Sequence, residues 1–126
     1  MTERRPISVV LRFLDIAISE EALRDALGVQ LDRFGLQRSG ALSFAQINFP
    51  ESNDPWLSIA EYLSRLGPST AQLIATGAIG RATLDIAYGF TPNLVTHSAI
   101  IPSSIAEAAG RNHLDIEIST YPLNGD

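Results

Sequence analysis

DPWLSIAEYLSRLGPSTAQLIATGAIGRATLDIAY, residues 54 to 88, decides how the rest of this chain is read. Asp54 can accept hydrogen bonds from the first free backbone N–H groups of a helix, and Pro55 stands at the first helical position, where its missing N–H costs nothing. Trp56, Ile59, Ala60, Leu63 and Leu66 then recur at three- and four-residue steps, with Ser58, Glu61 and Arg65 on the other side and Glu61 and Arg65 four apart. The spacing predicts a helix with one wet face and one core face. Leu66, Gly67 and Pro68 combine a glycine cap with a proline that cannot continue the helix smoothly, which predicts a break. Ser69 and Gln72 read as the capping box of a second, short helix ending near Gly77. Residues 77 to 80 turn the chain into RATLDIAY, where Leu84, Ile86 and Tyr88 alternate with Thr83, Asp85 and Ala87. That is a strand with a core face and a wetter one.

Toward the N-terminus, ISVVLRFL at 7 to 14 sets Ile7, Val9, Leu11 and Phe13 against Ser8, Val10, Arg12 and Leu14, a β-branched, apolar run that predicts a central strand. Ser19 is a good N-cap, and Glu20 and Glu21 place negative charge where the helix dipole favours it. Ala22, Leu23, Ala26 and Leu27 give that helix a core face. Gly28 can end it in a left-handed cap, although Leu31 and Phe34 keep the spacing going toward Gly35; the break at Gly28 is preferred. GLQRSG at 35 to 40 has two glycines and no periodicity, and so reads as a loop before a second strand, ALSFAQINF, beside the first.

Toward the C-terminus, the stretch from Gly89 to Pro102 contains LVTHSAI, which reads as a short edge strand or an extended loop, with the strand preferred. Ser103 or Ser104 caps a short helix, IAEAA, stopped by Gly110. LDIEISTY then points Leu114, Ile116 and Ile118 inward and Asp115, Glu117 and Ser119 outward. The whole predicts one α+β domain over residues 1–126. Strands near 7–14, 41–48, 81–88 and 113–120 form a single mostly antiparallel sheet of four to five strands, with helices packed on one face in a ferredoxin-like layout.

The chain has 126 residues, 45% of them hydrophobic and 18% charged, enough for one core. No run approaches the roughly 18 apolar residues of a membrane span, and the opening from Met1 to Pro6 is polar with no apolar region of signal-peptide type behind it, so a cytoplasmic protein without membrane association is expected. With no cysteine, disulfides, thiolate catalysis and cysteine-ligated metals are excluded. The net charge is −5, and only Arg4 and Arg5 among the nine arginines are adjacent, so no concentrated basic surface offers itself to nucleic acid.

From the tryptophan onward, the second half resembles the bacterial domain of unknown function 4279 family. The residues that carry the likeness are Trp56, the L-x-x-L-x-P-type helix break from Leu63 to Pro68, the short helix and strand after it, the small Ala-rich helix, and the closing Leu-Asp-Ile-x-Ile strand from Leu114 to Tyr121. The likeness covers about residues 50–121 and implies a compact bacterial α/β sandwich. It transfers neither an activity nor catalytic residues.

Asp85, Asp115 and Glu117 point away from the core on strands and could share one sheet face as oxygen ligands for a divalent cation. Calcium and magnesium sites draw mostly on loop ligands, so a solvated face with Arg12 as counter-charge is the preferred reading, and no metal or cofactor is expected. His97 beside Ser98 lacks the strained turn and surrounding motif of a hydrolase nucleophile, and His97 and His113 read as boundary residues; no catalytic residue is assigned. Trp56 reads as core-edge packing before it reads as a ligand platform. Val10 and Leu14 share the outward face with Arg12, so Val10, Arg12, Leu14, Asp85, Asp115 and Glu117 are the candidate interaction face. The expectation is a non-catalytic protein-interaction or binding module, in the manner of an immunity-type or accessory protein, meeting a protein partner or a second copy. An acidic surface suits a basic partner. The alternative is a small ligand- or metal-binding domain or enzyme that uses the acidic sheet face through a concave site joining a carboxylate to a histidine.

Overall fold

The computed structural model describes residues 6, 8–38, 40–90 and 98–123. Eight elements follow in order: β1 (Ser8–Ile16), α1 (Glu20–Leu27), β2 (Arg33–Leu36), β3 (Ser43–Asn48), α2 (Pro55–Ala75), β4 (Arg81–Phe90), α3 (Ser103–Arg111) and β5 (Asp115–Pro122). The strands form one sheet in the order β2-β3-β1-β4-β5. All neighbours are antiparallel except β4 and β5, which run parallel, as a strand returned by a helical crossover does. The first four strands and two helices carry the order and senses of a ferredoxin-like βαββαβ unit, and α3 with β5 extends it at the β4 edge.

Alternation decides what is inside. Val9, Leu11 and Phe13 of β1, Ala45 and Ile47 of β3, and Leu84, Ile86 and Tyr88 of β4 join one buried cluster with Leu23, Ile59, Leu63, Leu66, Ile105 and Ala109 of the helices. The α+β architecture with helices on one face of a mostly antiparallel sheet is therefore as the sequence predicts. Burying each large member of that cluster contributes about 1.5–3 kcal/mol. Ser19 accepts from the Ala22 N–H at the start of α1, and Gly28 closes the helix at φ 71°, so the helix ends there rather than at Gly35.

Four expectations are corrected. Residues 35 and 36 are strand, not loop: β2 pairs Arg33 with Gln46 through Leu36 with Ser43, and the Gln37 N–H donates to the Leu42 carbonyl beyond it. This strand is held by its neighbour and carries little pattern of its own. Secondly, α2 is one helix of 21 residues with Pro68 inside it, and Ser69 and Gln72 cap nothing. Ile59, Leu63, Leu66, Thr70 and Leu73 keep the three- and four-residue spacing through the proline, so core packing carries the helix across it. Pro68 and Ser64 both face solvent, where water can serve the carbonyl that loses its partner. Gly67 is buried there because the side chain of Asn112 rests on it. Ala60 is exposed, Trp56 is half-buried against the core, and Arg65 lies over the Tyr62 ring.

Thirdly, α3 starts at Ser103 behind Pro102 with no side-chain cap, passes through Gly110 and ends at Arg111. His113, at φ 62°, takes the left-handed turn instead, and the Leu114 N–H donates to the Ala109 carbonyl. Fourthly, Ser98 to Pro102 are neither strand nor helix, and the rest of the strand expected between Gly89 and Pro102, residues 91–97, lies outside the described residues.

Candidate functional site

The registers place all six candidate residues on the sheet face opposite the helices. Val10 lies beside Asp85, and Asp85 beside Glu117; Arg12 lies beside Thr83, and Thr83 beside Asp115; Leu14 lies beside Arg81. Extended across β1 the same row runs on to Gln46 and then Arg33. Thus Arg33, Gln46, Arg12, Thr83 and Asp115 stand side by side over the five strands, with a cation at one edge and a carboxylate at the other.

At the centre, Arg12 reaches diagonally from β1 to Asp85 on β4, and its Nη1 donates to Asp85 Oδ2. Ser119 on β5 donates from Oγ to Asp85 Oδ1 at 2.8 Å. The carboxylate is only 3% exposed although no helix covers it. The guanidinium and the Ser119 hydroxyl enclose it, and an ionised group held so far from water needs this pairing. Both oxygens of Asp85 are thus engaged inside the sheet. Asp115 and Glu117 are exposed on the edge strand, and Val10, Leu14 and Phe44 are half-exposed between the polar rows. The Arg33 guanidinium lies 5.6 Å from the centre of the Phe44 ring, which holds the arginine against this face.

Among the described residues no group of three His, Asp or Glu side chains could hold a metal ion. Clefts among the described residues include one between the ends of β1 and β3 and the start of α2, one of about 420 Å³ under Ser98, Ala99 and Ile101 against Tyr88 and Ile118, and one at the end of α1. The described linings of these three do not include Asp85, Asp115, Glu117 or His113. His113 is exposed at the turn between α3 and β5, Ser98 is exposed, and His97 lies outside the described residues. No helix among the described residues is long and apolar enough to cross a membrane.

Sequence reading missed Arg33, Phe44 and Gln46 as parts of this face. Alternation in β3 held the signal for the last two, since Phe44 and Gln46 flank the inward Ala45. Arg33 had none while β2 was unrecognised. Compared with protein-family models, with curated proteins and with solved structures, the chain matches none.

Proposed function

We propose that this chain is a non-catalytic protein-interaction module, cytoplasmic and of bacterial origin, and that it acts through the helix-free face of its sheet. The observation that carries the reading is the placement of Val10 and Leu14 on one face around the Arg12–Asp85–Ser119 cluster. Half-exposed apolar side chains beside charges already paired within the chain make a firm platform, because a partner need not desolvate a free central charge. Asp115 and Glu117 supply the outer polar rim that interaction surfaces carry. Kinship with the domain of unknown function 4279 family belongs to this proposal and rests on the segments from Leu63 to Pro68 and Leu114 to Tyr121.

The test compares wild type with Val10→Glu, a substitution on a half-exposed strand position, by light scattering behind a sizing column and by affinity capture from the source cell. Loss of assembly or capture in a variant that keeps its circular dichroism spectrum supports the reading. A monomer in both cases with unchanged capture removes it.

A further inference from the structure

We infer that the occupant of this face is a second copy of the chain, docked about a two-fold axis that runs along β1, so that Arg33 of each copy meets Asp115 of the other. The inference rests on the reading of the face as an interaction surface and adds which partner it takes and in which orientation.

Charge on the face points to self-association. Its strand residues carry three arginines, Arg12, Arg33 and Arg81, and four carboxylates, Asp85, Asp115, Glu117 and Asp15, the last held by the Gln37 side chain, in a chain whose net charge is −5. An acidic molecule that must approach its own copy needs a contact surface that carries little of the surplus charge, and on this face three arginines offset all but one of four carboxylates. A strongly basic partner would find more acid elsewhere on the molecule.

The distribution then selects the orientation. Two copies packed face to face are related by an axis lying between the sheets. An axis across the strands sets β5 on β5 and brings Asp115 and Glu117 against their own copies, which like-charge repulsion disfavours. An axis along the strands over β1 sets β5 on β2. It also keeps each residue at its own height along the strands, and Arg33 and Asp115 belong to one row through Gln46, Arg12 and Thr83. Both are exposed, and neither forms an ion pair with any described residue of its own chain. Near the axis Val10 and Leu14 meet their counterparts, while Arg12 is already neutralised by Asp85. The overlap suits a weak, reversible dimer: five strands about 4.8 Å apart with side chains to either side, and about 20 Å of strand length, give roughly 500 Å² per copy. The total of roughly 1,000 Å² lies below the roughly 1,200–2,000 Å² of stable specific interfaces, in the range of weak ones.

Charge reversal tests this arrangement. Sedimentation equilibrium on wild type is expected to show a reversible dimer. Arg33→Glu and Asp115→Arg each weaken it at least about tenfold, because each sets like charges together twice per dimer. Mixed in equal amounts, the two folded variants associate with each other, since Glu at 33 then meets Arg at 115 in one contact and Arg33 meets Asp115 in the other. The double substitution in one chain likewise recovers the homodimer. Wild type that stays monomeric up to about 1 mM, or a dimer insensitive to both reversals, overturns the inference. So does failure of the mixed variants to associate. Val10→Glu separates this failure from failure of the interaction face: if it abolishes the dimer, or capture of another protein, while the reversals do nothing, the face stands and this orientation falls.

Discussion

The side chain of Asn112 at the end of α3 rests on Gly67 in the middle of α2: a Cβ built on the glycine lies 2.6 Å from Asn112 Nδ2 and 2.7 Å from its Cγ. Asn112 is fixed there, because its Nδ2 donates to the Ala108 carbonyl at 2.8 Å. Helix propensity alone favours Gly67→Ala by about 1 kcal/mol. Displacing a half-buried amide from its hydrogen bond costs about 1–3 kcal/mol, so a net loss of about 1 kcal/mol is expected in urea denaturation. Adding Asn112→Ala removes the obstacle, and the double variant should be more stable than Gly67→Ala alone.

Pro68 follows Gly67 on the solvent side of the same helix, where it removes the amide that Ser64 would otherwise bind. Pro68→Ala restores that bond and gains part of the roughly 3 kcal/mol helix preference of alanine over proline, less about 0.4–1 kcal/mol for a freer unfolded chain. A gain of about 1 kcal/mol in the denaturant midpoint analysis is expected. A helix broken at this point would give no gain.

Arg12 and Asp85 differ in what each leaves behind when the other is removed. The Arg12 side chain is 37% exposed and can turn to water, whereas the Asp85 side chain, at 4%, cannot. Arg12→Met should therefore cost about 3 kcal/mol, more than Asp85→Asn, which keeps the shape and loses about 1 kcal/mol. Combining Arg12→Met with Asp85→Leu recovers most of the loss, and a double-mutant cycle measures it.

Leu63 is 2% exposed in the core under α2, and Leu63→Ala is expected to cost about 2–5 kcal/mol through lost burial and the cavity left. Ala60, three residues earlier and exposed, is the control: Ala60→Ser should shift stability by less than about 0.5 kcal/mol.

Where a pattern was long, the residues alone located the element. β1, β3, β4 and β5 were legible because alternation over six or more positions is hard to produce by chance, and strand parity placed Val10, Arg12, Leu14, Asp85, Asp115 and Glu117 on one face before any pairing was known. Local punctuation misled where tertiary packing overruled it. Gly67 and Pro68 look like a helix end, yet the glycine is there for Asn112 and the proline is tolerated on the wet side. Arg33 stayed hidden because a four-residue strand containing Gly35 is defined by its partner β3, not by its own sequence. The parallel sense of β5 comes from the crossover by α3, which alternation along a single strand cannot express.

Asp15, at φ 57°, interrupts the alternation of β1 between Phe13 and Ile16, both buried though three apart, and the Gly80 N–H lies at 3.1 Å from the carbonyls of Leu14 and Asp15. An evenly alternating strand can slide by two residues past its neighbours and return every side chain to its proper face. β1 cannot do so, because a slip would carry this change of phase away from Gly80 and drive Ile16 out of the core. Misaligned sheets are thereby rejected during folding at the strand that both halves of the sheet share. The line of side chains from Arg33 on one edge to Asp115 on the other is straight only in that single alignment, so an irregularity at one end of β1 governs where charges at both edges come to stand.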